Sequence, residues 1–242
     1  MPANAAHYRR VLLKISGEVL SGGEGESIGA ERLAFVAGEV ASACALGAQV
    51  GLVVGGGNIV RGAALASDDR AWRVKADQMG MLATVINALA LQLELSRQGV
   101  SAAVFSAIPL SPVCESFTAE RARAALDAGQ VAILAAGTGN PFFTTDTAAA
   151  LRALELQADI LLKATKVDGV YDSDPKLNPQ AKRFDVLAYD RAVSMNLRVM
   201  DQTAFALCRD NGLPILVFDL IQPGNVARAI AGEPIGTLVR EA

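Results

Sequence analysis

The sequence contains few of the residues that carry metal-based or nucleophilic chemistry. Its 242 residues include one histidine, His7, and three widely separated cysteines, Cys44, Cys114 and Cys208. This scarcity argues against a zinc site with histidine ligands and against a catalytic triad built on histidine. Because no C-x-x-C pair occurs, the cysteines are expected to be reduced structural thiols of a cytoplasmic protein.

Charge is also scarce. Charged residues make up 19% of the chain and the formal net charge is −3, which argues against direct nucleic-acid binding. The first apolar run, after Arg10, is interrupted by Lys14, which argues against a signal peptide or a membrane span. Hydrophobic residues make up 52%, enough for a sizeable core, so we expect a cytoplasmic globular protein without membrane or nucleic-acid partners.

Short apolar runs alternate with segments of helical periodicity along nearly the whole chain. This alternation predicts a three-layer α/β/α sandwich with a mainly parallel central sheet. We expect one domain over 1–242, with a softer boundary near Ala150 between lobes of about 8–150 and 151–242. Strands are predicted at 11–15, 50–54, 102–105, 131–136, 160–163 and 215–218, with a possible edge strand at 236–239. Helices are predicted at 31–46, 74–98, 118–126, 190–195, 200–210 and 225–231, and from Thr145 onward, with loops at 67–73 and 167–187.

The predicted helix 74–98 is apolar on most sides. Leu82, Val85, Ile86 and Leu89 recur at helical spacing. A helix of this kind lies in the core or in a subunit contact. We expect a contact between subunits to cover part of it.

Four predicted strands end in loops that are rich in glycine or lysine. They are Lys14-x-Ser16-Gly17, Gly55-Gly56-Gly57-Asn58, Gly137-Thr138-Gly139-Asn140 and Lys163-Ala164-Thr165-Lys166. Parallel strands place such loops at one edge of a sheet, where backbone N–H groups and lysines would line a crevice. This arrangement suits two phosphorylated ligands. Neither a G-x-x-x-x-G-K-[ST] motif nor a complete G-x-G-x-x-G is present, since Phe142 occupies the third glycine position.

Each of these features also has an ordinary structural explanation. Lys14 could extend its amine from a sheet edge to solvent, and the three glycines could serve close packing of a helix on the sheet. Lys163 and Lys166 could lie on a solvated face, and Asp201 could simply cap a helix. Their joint placement after strands favours a phosphate site.

Several motifs, in this order along the chain, resemble those of the bacterial UMP kinases of the amino acid kinase superfamily. They are LLKISGE, VVGGGNIVRG, DQMGMLATVIN, AGTGNPFFTTD, LKATKVDGVY and VMDQTAF, and the resemblance extends over about residues 8–241. It implies the amino acid kinase fold and Mg²⁺-assisted, in-line transfer of a phosphoryl group from ATP to UMP in pyrimidine nucleotide biosynthesis. The metal would be held mostly by ATP oxygens and water rather than by the protein alone.

The resemblance also implies roles for individual residues. Lys14 would act on the transferred group, Asp201 would orient this lysine, and Asp146 would be a further carboxylate near the centre. The implied catalytic residues are Lys14, Arg61, Asp146 and Asp201. The implied ATP-binding residues are Lys14, Ile15, Ser16, Gly17, Gly57, Arg61, Lys163, Thr165, Tyr171 and Asp174. The implied UMP-binding residues are Gly56, Asp77, Thr138, Gly139, Asn140, Pro141, Phe142, Phe143, Thr144 and Thr145.

Regulation and assembly are implied in the same way. The resemblance suggests a homohexamer that GTP activates and UTP inhibits. The matching effector loop is more acidic and less glycine-rich than the family pattern, and arginines outside the crevice are the alternative candidates for a phosphate site. The effector candidates are Gly22, Gly23, Glu24, Gly25, Glu26, Ser27, Arg97, Arg121 and Arg123.

Two other functions remain open at this point. The chain could be a non-catalytic nucleotide- or oxyanion-binding or storage protein on the same fold. The presence of Lys14, Arg61 and Asp201 and the single histidine argue against that reading. A nucleotide-sensing role in transcription could coexist with an enzymatic one.

Overall fold

The computed structural model describes residues 6–60, 70–175, 177–197 and 199–241. Arg61, one of the implied catalytic residues, lies outside these ranges. The strands are β1 Arg10–Ile15, β2 Gln49–Val54, β3 Ala102–Ser106, β4 Glu115–Ser116, β5 Val131–Ala135, β6 Ile160–Thr165, β7 Val186–Ala188, β8 Ile215–Asp219 and β9 Gly236–Arg240. The α-helices are α1 Ala30–Ala45, α2 Arg70–Arg97, α3 Ala119–Asp127, α4 Thr145–Glu155, α5 Tyr189–Ser194, α6 Gln202–Asp210 and α7 Asn225–Ile230.

The described strands form one continuous sheet in the order β4-β3-β5-β2-β1-β6-β8-β9-β7. Strands β4 to β8 in this order are all parallel, and β9 runs antiparallel to β8. A parallel pair needs a crossover that returns the chain to the same end of the sheet, and helices supply most of these crossovers. The loops that follow β1, β2, β5 and β6 therefore meet at one edge.

Alternate side chains of the central strands enter two separate cores, one on each face of the sheet. On β1, Leu13 and Ile15 pack with α1, α2 and α7, whereas Leu12 packs with α3, α4, α5 and α6. This alternation follows from the two-residue period of a strand. The α/β/α sandwich with a mainly parallel sheet is thus confirmed.

Helix α2 buries one face and leaves an apolar stripe uncovered. Val85 and Leu91 are buried. Met79, Leu82, Ile86 and Leu93 are 46%, 45%, 50% and 56% exposed. By length and composition, this helix could cross a membrane, but such a test also selects the core helices of soluble proteins.

The structure corrects three local predictions. Residues 70–73 belong to α2 rather than to a loop, so the helix is longer than its apolar pattern indicated. Gly236–Arg240 is not an edge strand, because it lies between β8 and the short strand Val186–Ala188. That short strand falls at the end of the segment predicted to be irregular, and its three residues are too few to show a period.

Candidate active site

A first cavity of about 160 Å³ opens where β2 and β5 end. The GGGN loop, the first half of α2 and the loop after β5 enclose it. It is lined by Gly56, Gly57, Val60, Ala76, Asp77, Gly80, Met81, Thr84, Gly137, Thr138, Asn140, Phe143, Thr144 and Thr145. Most of the residues that the resemblance assigned to UMP binding therefore line this one cavity. Gly57, assigned to the ATP side, lies here as well, whereas Gly139, Pro141 and Phe142 do not line the cavity.

Close packing requires glycine in the loops after β1 and β2. A Cβ at Gly56 would lie 2.7 Å from the Gly80 carbonyl oxygen of α2. A Cβ at Gly17 would lie 2.4 Å from both the Asn58 Oδ1 and the Gly55 carbonyl oxygen. The loops after β1 and β2 thus approach each other through their backbones, with no room for a side chain between them.

The loop after β5 is shaped by left-handed backbone and closed by a helix cap. Ala136 and Gly137 have φ of 62° and 60°, a conformation that L-residues rarely adopt. Thr144 then caps α4, accepting hydrogen bonds from the backbone N–H groups of Asp146 and Thr147, both at 3.1 Å. The positive end of α4 is thereby directed at the cleft.

Asp77 joins α2 to the same loop. Its carboxylate accepts the Phe142 N–H at 2.8 Å and is held by Arg73 at 2.9 Å. The carboxylate lines the first cavity, where it can accept hydrogen bonds from ligand hydroxyls.

Two lysines and one carboxylate form the centre of the site. Lys14 and Lys163 are register partners on β1 and β6, and their amines lie 2.6 Å and 2.7 Å from the two oxygens of Asp146. All three side chains are largely buried, with 12–14% exposure. Asp146 is in the first turn of α4, and α4 packs against β1 and β6, the strands that carry the two lysines. Lys163 also donates to the Val199 carbonyl at 2.7 Å.

Burial and charge act in opposite directions in this centre. Burial raises the pKa of Asp146, but the ammonium groups of Lys14 and Lys163 together lower it more, so the carboxylate is held ionised. Burial lowers the pKa of Lys163, and Asp146 only partly restores it. Asp146 is therefore an anchor for cations and a poor proton acceptor.

Asp201 connects two helix starts. It caps α6 by accepting the Ala204 N–H at 3.0 Å, and it accepts the hydroxyls of Thr144 at 2.5 Å and Thr147 at 3.0 Å. The resemblance implied that Asp201 orients the reactive lysine. In the structure, Asp201 holds the cap of α4, and Asp146 holds the lysines.

A second cavity of about 580 Å³ lies on the other side of Lys163. The loop after β6 and the segment after α5 enclose it. It is lined by Lys163, Thr165, Val167, Gly169, Val170, Tyr171, Ser173, Asp174, Pro175, Asn196, Leu197, Val199 and Val217. The four residues Lys163, Thr165, Tyr171 and Asp174, assigned by resemblance to ATP, are thus assembled. Ile15 is a core side chain with 0% exposure, so only its backbone could face a ligand.

Comparison with known proteins identifies the family. The pattern of the amino acid kinase family matches residues 9–219. A uridylate kinase of Xanthomonas axonopodis pv. citri is 55% identical over 96% of this chain and 97% of its own length. One from Magnetococcus marinus is 52% identical over 98% of both. The chain belongs to the uridylate kinases of the amino acid kinase family. The solved UMP kinase of Bacillus anthracis shares this fold, with a TM-score of 0.92, 41% identity and coverage of 97% and 96% of the two chains.

Within this uridylate kinase fold, the candidate effector residues lie apart from the two cavities. The loop 22–27 is exposed and closes on itself, with Gly22 N–H donating to the Glu26 carbonyl at 3.0 Å. Arg97 pairs with Glu94 on α2, and Arg123 pairs with Glu120 on α3. None of these residues lines either described cavity.

Sequence reasoning missed polar residues that lie inside apolar helical patterns. Thr84 is 3% exposed, lines the first cavity and accepts the N–H of Ala136 at 2.8 Å, which holds that left-handed residue. Thr147 binds Asp201, and Asn87 binds the Gly55 carbonyl at 2.7 Å. A polar residue at a core position of a helix is the signal that could have identified them.

The cysteines do not contribute to this chemistry. All three are free thiols. Burial, with smaller contributions from Asp146 and Asp201, raises the pKa of Cys208 to about 12. A thiol that stays protonated at neutral pH is a poor nucleophile.

Proposed function

We propose that this protein transfers a phosphoryl group from ATP to UMP, with UMP in the first cavity and ATP in the second. The observation that carries the proposal is the position of the Lys14–Asp146–Lys163 centre. Lys163 lines the second cavity, and Asp146 directly follows Thr145, which lines the first. The two lysines therefore lie where two phosphorylated ligands would meet.

The chemistry needs positioning and charge neutralisation rather than a base. The acceptor is a phosphate oxygen, which has no proton to lose at neutral pH. The amines of Lys14 and Lys163 can stabilise negative charge on the group in transfer, and the start of α4 adds its dipole. Asp146 fixes both amines in advance, so little reorganisation is needed during the reaction.

Mg²⁺ fits this site as part of the donor complex. When bound, it would neutralise ATP phosphates and align the terminal phosphoryl group. Over the described residues, no group of three or more His, Cys, Asp or Glu could hold a metal alone. Asp146 and Asp201 are the carboxylates that could face a metal brought in by ATP. Both already have fixed partners, which supports a metal held mainly by ATP oxygens and water.

The two cavities are lined by different parts of the chain. The acceptor cavity is lined by residues between Gly56 and Thr145, and the donor cavity by residues from Lys163 to Val217. We assign the lobe of about 8–150 to UMP and the lobe of about 151–242 to ATP. The product would supply pyrimidine nucleotide biosynthesis in the cytoplasm, with no membrane or direct nucleic-acid partner.

Assembly and regulation belong to the same proposal. The uncovered apolar stripe on α2 supports a contact between subunits and therefore a closed homo-oligomer. The resemblance implies that this oligomer is a homohexamer. We propose that GTP activates the enzyme through Arg97, Arg121, Arg123 or the loop 22–27, outside the cavities. UTP would inhibit by placing its uridine in the acceptor cavity and its extra phosphates toward the donor side.

A coupled assay with ATP and UMP, CMP, dUMP or AMP tests the activity. We expect strong preference for UMP, because a site that hydrogen-bonds one base edge leaves polar groups unpaired with another base. Comparable kcat/KM for CMP and UMP would reject the assigned acceptor. No transfer to any of the four would reject the proposed function.

A further inference from the structure

We propose that Asn58 and Asn87 form a positioning pair that fixes the distance between the donor-phosphate loop and the acceptor loop. The inference rests on the proposed function, because it concerns alignment of the two phosphorylated ligands. Neither residue is among those assigned by resemblance. Both lie outside the reacting centre, so they act through the backbone that they hold.

The two amides bind each other in both directions. Asn87 Nδ2 donates to Asn58 Oδ1 at 2.7 Å, and Asn58 Nδ2 donates to Asn87 Oδ1 at 3.0 Å. Each amide nitrogen has one further partner, a backbone carbonyl. Asn87 Nδ2 reaches the Gly55 oxygen at 2.7 Å, and Asn58 Nδ2 reaches the Ser27 oxygen at 2.8 Å.

This set of partners determines which way each amide points. A carbonyl oxygen can only accept, so each side chain must turn its NH₂ group toward its backbone partner. The remaining N–H of each amide then faces the oxygen of the other. All four N–H groups are used, and Asn87 is 0% exposed. A partly buried network in which every amide donor has a partner is rigid.

The same two atoms that the pair fixes form the surface against Gly17. A Cβ added at Gly17 would lie 2.4 Å from Asn58 Oδ1 and 2.4 Å from the Gly55 oxygen. Gly17 belongs to the loop assigned to the ATP phosphates, and Gly55 opens the loop that lines the acceptor cavity. The amide pair therefore sets how closely these two loops approach.

This contact controls how the two ligands are aligned with each other, rather than how tightly each one binds. Each loop can still bind its own ligand if the pair is removed, because the direct ligand contacts lie elsewhere. The two ligands, however, would no longer be held at a fixed separation, and small misplacements reduce transfer rates strongly. Loss of the pair should therefore appear in kcat and leave binding of each separate ligand unchanged.

The test compares Asn87→Ala, Asn58→Ala and the double variant with wild type. We expect kcat for UMP phosphorylation to fall at least tenfold in each, with similar loss in the double variant because the pair acts as a unit. Calorimetry should give a Kd for UMP alone and for a non-hydrolysable ATP analogue alone within threefold of wild type, with full site stoichiometry.

Asn225→Ala is the matched control. Asn225 is 4% exposed and donates to a backbone carbonyl, that of Asp219, at 2.8 Å, but it lies on α7. It should lose stability, as Asn87→Ala does, and keep its kcat. Asn58 is half-buried, so Asn58→Ala decides the question if Asn87→Ala does not fold.

Three results would overturn the inference: kcat near wild type in the variant that folds, a fall in kcat matched by weaker ligand binding, or an equal fall in Asn225→Ala. A wild-type protein that does not phosphorylate UMP would instead reject the proposed function.

Discussion

Lys14 and Lys163 lie side by side as register partners on neighbouring parallel strands, and they share the two oxygens of one carboxylate, Asp146. Like charges at paired positions of a sheet repel each other. One carboxylate therefore holds together two cations that would otherwise separate. The result is a compact positive centre that is ready for a polyanion before any ligand arrives.

Removal of the Lys14 amine tests this centre directly. In Lys14→Ala, we expect kcat to fall by on the order of a hundredfold, because the amine stabilises charge that develops in transfer. The Kd for UMP, measured by calorimetry, should change little. Lys75→Ala is the control, since Lys75 is exposed on α2 and its amine donates to the Gln78 side chain. Near-normal turnover in Lys14→Ala would reject the role.

The carboxylate should make stability depend on acidity. The folded-state pKa of Asp146 is lowered, so its stabilising contribution is present above its unfolded pKa of about 3.9 and is lost as pH falls through the lower folded value. Asp146→Asn removes the only carboxylate that directly contacts the two buried lysines in the described structure and should reduce the free energy of unfolding by roughly 3 kcal/mol at pH 7. Urea titrations of the wild type and of Asp146→Asn between pH 3 and pH 7 measure the difference between their free energies of unfolding. It should shrink below about pH 4, and a constant difference would contradict the assignment.

The exposed stripe of α2 should be a contact between subunits. Light scattering of the wild type at micromolar concentration should give a closed oligomer, and Leu82→Glu and Ile86→Glu should shift it toward smaller species, because each would place a charge in an apolar interface. Leu177→Glu is the control, as Leu177 is 84% exposed and lies in a loop. A monomeric wild type would exclude this role for α2.

Activation by GTP should depend on arginines outside the cavities. At subsaturating UMP, GTP should increase the rate, with a coupling of about 1–3 kcal/mol. The variant Arg121→Ala/Arg123→Ala should lose this response and keep its basal rate, because both side chains lie on α3, away from both cavities. A wild type indifferent to GTP would remove the effector site altogether. A double variant activated as fully as wild type would move the site to other residues.

The sequence predicted those parts of the site in which local pattern and chemistry coincide. Apolar runs followed by glycine or lysine located the ends of β1, β2, β5 and β6, and the helical pattern from Thr145 onward located the start of α4. The apolar pattern was weaker in short segments. Residues 70–73 looked like a loop because they continue the polar run 67–70 and are too few to show an apolar period. Val186–Ala188 is likewise too short to show one.

By itself, the sequence determined the layered fold and the edge of the sheet that carries the ligand loops, because periodicity and glycine placement are local properties. The resemblance to known kinases, rather than these patterns, named most residues of the first cavity and four of the thirteen that line the second. Only the tertiary structure decided which side chains the carboxylates of Asp146 and Asp201 bind. The register of β1 with β6 and the packing of α4 bring Asp146 to both lysines, and the packing of α4 against α6 gives Asp201 to two hydroxyls. It also revealed Thr84, Asn58 and Asn87 as supports of the loops. Contacts between residues distant in the chain depend on register and packing, which no local pattern contains.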